Sequence, residues 1–212
     1  DAQGIVVAAR VPEPTVCAIR AGTAGLTVRA DPLQMGLRFA RCADLDLSGV
    51  KPSVGSVPGS AVVESRARSL VRCGVAAISQ GIARRARDIA LAYARTRIQG
   101  GKPIVEHGAV SDMLAGMIIR LQSGGAARLG PAVNNPTTAL CYKIAASDAA
   151  MSTAIDAVQV MGGTGYMVDS GVEKLMRDAK YCQLYPERNW LSRDELMWSG
   201  DQRPCQHRAL AK

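Results

Sequence analysis

The chain changes its hydrophobic period at about Ala61, and no other feature limits its fold as much. Downstream, Val71, Val75, Ile78, Ile82, Ala86, Ile89 and Tyr93 step by three and four. Arg66, Arg68, Arg84, Arg85, Arg87 and Arg95 fall mostly elsewhere. Such spacing draws one apolar stripe along a long helix, which Gly100, Gly101 and Pro103 then stop. A second helix is expected from about Val110 to Arg128, with Met113, Met117 and Leu121 inside. Gly130-Pro131 and Asn134-Asn135-Pro136 mark the turn after it. A third helix steps Leu140, Ile144, Ser147, Met151, Ala154, Val158 and Met161, a four-three repeat suited to an antiparallel bundle. Val172, Leu175, Met176 and Ala179 supply a fourth, and Leu191 to Trp198 a short fifth.

Upstream of the change the chain reads as β. Gly4 to Ala9 and Thr15 to Ile19 are short apolar runs, while Leu26 to Ala30 and Leu37 to Leu47 alternate. Turn signals at Pro12, Pro14, Gly22, Gly25, Pro32 and Gly36 separate them. Four strands are too few to close a barrel. Residues 1–52 are therefore expected to form a partial antiparallel β-domain and residues 53–60 a Pro-, Gly- and Ser-rich linker. Residues 61–199 should form an antiparallel four-helix bundle, and 200–212 a loose tail. The fold class is mainly α with a small β portion. Aromatic residues are only 4%, so the core must be Ala, Val, Leu, Ile and Met, which suits closely apposed helices.

The net charge of +8 could serve nucleic acid, an anionic membrane surface or an anionic small ligand. No run of five like charges exists and aromatics do not interleave with the basic residues, which argues against nucleic acid. A phosphate-rich ligand uses the same charge more economically. The six cysteines form no CxxC pair and none sits at metal-ligand spacing, so they read as small buried hydrophobes. No apolar run reaches the roughly 18 residues of a membrane span, and no signal peptide is visible; a cytoplasmic location is the default expectation.

Two stretches carry recognisable chemistry. Gln159 to Asn189 opens on Gly162-Gly163-Thr164-Gly165, continues as VEKLMRDAK and ends Q-x-Y. Glycine backbone can approach a ligand closely. Earlier, Arg97 stands at a helix end before a glycine break, where a guanidinium can fork onto a diphosphate. Together these strings resemble the acyl-CoA dehydrogenase family, with Arg97, Gln99 and Gly101 matching its R-x-Q-x-G motif. GIVVAAR, the GLTV strand and the M-G-L-R turn at Met35 to Arg38 resemble the second half of that family's middle β-domain. The resemblance implies FAD as cofactor and acyl-CoA as substrate. It also implies a same-family subunit sharing the FAD site, and an electron-transferring flavoprotein as a candidate partner. Carried over position by position, Arg97, Gln99, Gln159, Gly162, Gly163 and Arg188 would meet FAD, and Arg72 and Tyr185 the substrate. Gly100 stands where the family usually has Phe.

The resemblance breaks at the base. The family usually places Glu after the tyrosine, in Y-E-G-T, and here the string is Tyr185-Pro186-Glu187-Arg188. Some relatives keep their Glu on the first helix of the bundle, but Ser69-Leu70-Val71-Arg72 holds no carboxylate. Glu187 is the displaced candidate; otherwise it is a surface residue paired with Arg188 or Arg193. The favoured expectation is an FAD-dependent α,β-dehydrogenation of an acyl-CoA thioester. The alternative is a non-catalytic subunit of a heteromeric dehydrogenase. The family's N-terminal helical domain and the first half of its β-domain have no counterpart here. Another chain supplying that front half, or a longer chain, is therefore expected.

Overall fold

A computed structural model describes residues 4–10, 14–29, 34–40, 42–51, 60–123 and 132–197. β1 (Gly4–Arg10) and β2 (Pro14–Arg20) pair antiparallel, with Gly4 opposite Arg20. β3 (Leu26–Arg29) and β4 (Asp44–Leu47) form a second antiparallel ribbon, with Leu26 opposite Leu47.

Among its described residues, the strand expected from Leu37 to Leu47 is a strand only over the last four. The reason lies in the helices. Residues 34–40 turn back on themselves, with Leu37 at φ +47° and the Ala40 N–H donating to the Leu37 carbonyl at 2.8 Å. The Leu37 N–H donates to Asp178 Oδ1 at 2.7 Å, so this backbone is committed to the bundle and not to a sheet.

The bundle follows the periodicity. α1 (Ser60–Thr96) and α2 (Gly108–Ser123) come first, then α3 (Pro136–Met161), α4 (Val172–Leu184) and the short α5 (Asn189–Met197). α3 begins earlier than its apolar repeat. Asn135 caps it by accepting from the Thr138 N–H at 3.0 Å, and Pro136 occupies the first turn, where a missing N–H costs nothing. The extension of α2 to Arg128, residues 53–59 of the linker and the tail lie outside the described residues, while Ser60, expected in the linker, already begins α1.

α1 and α3 share the most extensive contact. They run parallel: Cys73 clusters with Ala139, Ala83 with Ala150, and Ala90 with Ala157. Both present alanine to the seam, including Ala86, Ala90, Ala94, Ala150, Ala154 and Ala157, all fully buried. Small side chains let two helix axes approach closely. α2 and α4 run the other way and close the sides. Met117 and Leu114 cover the distal half of the α1–α3 seam. Val172 joins that half, while Ala179 and Cys182 reach the proximal half.

Of the described cysteines, Cys73 and Cys182 are buried as expected, whereas Cys141 is exposed and Cys17 and Cys42 are half-buried. No helix among the described residues is long and apolar enough to cross a membrane.

Candidate functional site

α1 ends at Thr96, and the chain turns at once into a tight hairpin. Ile98–Gln99 pair with Lys102–Pro103 around Gly100 and Gly101, whose φ angles are +60° and +80°. The Ile104 N–H donates to the Arg97 carbonyl at 2.8 Å, and His107 Nε2 bonds the Gln99 carbonyl at 3.0 Å, so that nitrogen carries the proton. These contacts fix the backbone on which Arg97 and Gln99 stand.

The end of α3 faces this hairpin. Gly162 stops the helix at φ +58°, ψ −139°, a conformation that excludes a side chain. A Cβ at Gly163 would meet nothing within 4 Å, whereas one at Gly165 would lie 2.7 Å from the Val158 carbonyl. Gly165 therefore serves packing, and Gly163 leaves bare backbone in the open.

Between hairpin and glycine turn lies a cleft of about 490 Å³, lined by Tyr93, Arg97, Gln99, Gln159, Gly162 and Gly163 among others. Two segments far apart in sequence thus bring five of the expected cofactor residues to one place. Arg97 and Gln159 are exposed. Among the described residues the Arg97 side chain has no ion-pair partner. A free guanidinium fork, two amides and bare backbone suit a diphosphate and neighbouring hydroxyls.

Arg72, Glu187, Tyr185 and Arg188 are not in this cleft; they belong to the other end of the bundle. Arg72 is only 3% exposed. Its guanidinium pairs with the Glu187 carboxylate and donates to the Pro136 carbonyl at 3.1 Å. Expecting Glu187 to pair with a neighbour in sequence is therefore wrong: the ion pair the structure gives it is with Arg72 on α1. Arg193 instead pairs with Asp148, and the Arg188 side chain is exposed. Tyr185, 44% exposed, stacks on Tyr181 with ring centroids 5.5 Å apart. Both rings border an apolar pocket of about 300 Å³ that also involves Cys42, Val75 and Cys182. The Tyr181 hydroxyl bonds Cys42 Sγ at 3.1 Å, and burial together with this bond pushes the phenol's pKa up.

Beneath Glu187 lies a buried network that sequence spacing did not reveal. Lys143, fully buried, donates to the Glu187 carbonyl and to Asn189 Oδ1 at 2.7 Å. Asn189 Nδ2 donates to Ser147 Oγ and Asp148 Oδ1, each at 2.8 Å. Gln183 Nε2 also reaches Asp148, at 2.7 Å. Burial pulls the Lys143 ammonium below the usual lysine range, against the pull of Glu187 and Asp148. A signal was available: Lys143 falls between Leu140, Ile144 and Ser147 on the core stripe of α3, where a charge is out of place. Among the described residues no His, Cys, Asp and Glu cluster could hold a metal ion.

The bundle with its flanking ribbons is that of flavin-dependent dehydrogenases. A solved FAD-dependent dehydrogenase superposes with a TM-score of 0.79 at 26% identity, covering 87% of this chain and 52% of that one. The chain belongs to the acyl-CoA dehydrogenase family: residues 59–186 match the description "Acyl-CoA dehydrogenase, C-terminal domain". It is similar to the butyryl-CoA dehydrogenase of Megasphaera elsdenii, with a TM-score of 0.83 and 27% identity over 93% of this chain and 56% of that one. It is 34% identical over 190 residues to a cyclohex-1-ene-1-carbonyl-CoA dehydrogenase of Geobacter metallireducens, covering 82% of this chain and 49% of the relative. The chain thus spans about half the length of the curated relatives it matches.

Proposed function

We propose that this chain is part of an FAD-dependent acyl-CoA dehydrogenase, and that its Arg97 cleft takes the diphosphate–adenosine end of an FAD held mainly by a same-family subunit. The observation that carries this is the convergence of a free Arg97 guanidinium with Gln99, Gln159 and the bare Gly162-Gly163 backbone. The residues fit the group. Arg97 can fork across phosphate oxygens, the amides can pair with hydroxyls or adenine edges, and Gly163 lets phosphate approach the main chain. FAD, when bound, supplies the acceptor for a hydride leaving the substrate β-carbon. This chain's residues bind and orient. An acyl-CoA thioester as substrate and an electron-transferring flavoprotein as acceptor follow from the family alone.

Removal of the α-proton needs a carboxylate against the substrate. Glu187 is the candidate base of this chain, and to serve it must turn from Arg72. Arg97→Ala tests the cleft: FAD affinity should fall roughly tenfold or more, the worth of a charge-assisted hydrogen bond. Unchanged FAD retention would refute the cleft's role.

A second reading has its own observation. Pro186 occupies the family's usual base position, and Glu187 is engaged by Arg72. On that reading the chain lends Arg97, Gln159 and the glycine turn to a catalytic partner and contributes no base. Glu187→Gln separates the two. Loss of flavin bleaching by acyl-CoA supports a displaced base, and full bleaching supports the non-catalytic subunit.

A further inference from the structure

Lys143 is the one fully buried lysine among the described residues. Its ammonium donates to two groups of one short segment, the Glu187 carbonyl and Asn189 Oδ1. That segment, residues 185–189, joins α4 to α5 and carries Tyr185, Glu187 and Arg188. Neither acceptor is a carboxylate. An apolar side chain of equal volume would fill the same space without taking a charge out of water. What lysine adds is direction: two donors that fix where the main chain runs.

The rest of the segment is tied with matching care. Arg72 holds the Glu187 side chain from α1. Asn189 binds Ser147 and Asp148 on α3, and Arg193 pairs with the same aspartate from α5. Two helices, α1 and α3, thus grip the few residues that follow Tyr185, and Arg193 ties α5 to the same aspartate.

We propose that Lys143 is a positioning residue, whose buried ammonium sets the path of residues 185–189 and thereby the placement of Tyr185 and Glu187 toward an acyl thioester. The final clause rests on the function proposed above. The hold on the backbone does not.

The Arg188–Asn189 peptide bond follows an exposed arginine and precedes a buried asparagine. Trypsin therefore cuts there only when the segment opens. The test compares the full-length wild type with Lys143→Met, which keeps the volume, and Lys143→Gln, which keeps a donor. Cleavage after Arg188 should be roughly tenfold faster in the Met variant and close to wild type in the Gln variant. Flavin reduction by butyryl-CoA should show a lowered kcat in the Met variant at nearly constant KM, with the Gln variant recovering most of it. Equal cleavage in all three forms overturns the proposal, as does Met behaving like Gln, because volume alone would then suffice. If Lys143→Met does not fold, Asn189→Ala removes one of the two acceptors together with the bonds to Ser147 and Asp148, whereas Asn189→Asp keeps the acceptor and loses only those bonds; faster cleavage in the Ala than in the Asp variant supports the clamp, and equal rates overturn it. A wild type that never reduces flavin with acyl-CoA, yet shows the expected cleavage pattern, refutes the proposed function and leaves the clamp standing.

Discussion

Glu187 and Arg72 stand 115 positions apart and share one half-buried ion pair. Sequence spacing offers Glu187 only its neighbours, Arg188 and Arg193, because periodicity says nothing about which helix lies across the bundle. Glu187→Ala should destabilise the protein by about 1–3 kcal/mol, since it strips the carboxylate from a buried guanidinium and leaves it only its other partners, among them the Pro136 carbonyl. Glu187→Gln should cost less, because an amide oxygen can still accept from Arg72. Denaturant midpoints of the two variants check this, and equal losses would place the pair on the solvated surface. Lys143 gives a pH signature at the same scale. Its folded pKa is lowered, so above that value the unfolded chain binds more protons than the native one. Stability contributed through Lys143 must therefore rise as pH climbs from that lowered value toward the ordinary lysine range. Wild type minus Lys143→Met should become more favourable as pH climbs through the interval just below the ordinary lysine value of about 10.4. Other titrating groups are common to both proteins and cancel in the difference. A flat difference would mean that the ammonium is solvated.

The helices were legible in the sequence as elements, because an apolar step of three and four, repeated over several turns, lines one face of a helix and cannot line one face of a strand. Their ends were less legible. α3 begins at Asn135-Pro136 because a side-chain cap, rather than an apolar residue, decides where a helix can start. Asn135→Ala should cost about 1 kcal/mol, read as a lower melting temperature with unchanged helical content. The seam of α1 against α3 was foreshadowed by composition, since a core short of aromatics must be packed through small residues. Its geometry makes it intolerant of growth. Ala154→Leu places extra methylenes where two parallel helices already touch, and should destabilise by about 1–3 kcal/mol. The same change at exposed Ala145 should cost far less. Similar losses at the two sites would mean that the seam is loosely packed.

Across the whole molecule, the Arg97 cleft was legible because each of its parts is a local motif, and the fold needed only to bring two motifs together. The join between the β portion and the bundle was not, because it rests on a turn that the alternating pattern disguised as a strand. Gly36 lies so close to α4 that an added Cβ would sit 2.1 Å from the Arg177 carbonyl oxygen, a clash with main chain that no rotamer relieves. Around it, Arg177 donates to the Met35 carbonyl and Asp178 accepts from the Leu37 N–H, both at 2.7 Å. Gly36→Ala should therefore lift residues 34–40 and Cys42 from the bundle while the buried alanine seam stays intact. Cys42 is the reporter. Its thiol is half-buried against the Tyr181 hydroxyl, and undocking should raise its rate of labelling by a thiol reagent roughly tenfold, located by peptide mass against the exposed Cys141. Unchanged labelling would show that the turn is held elsewhere. Faster labelling would carry a functional consequence, because the same residues wall the apolar pocket beside Tyr185. The shape of that pocket then depends on how the β portion docks, and a change more than a hundred residues away in sequence alters the surroundings of the segment that Lys143 and Arg72 hold.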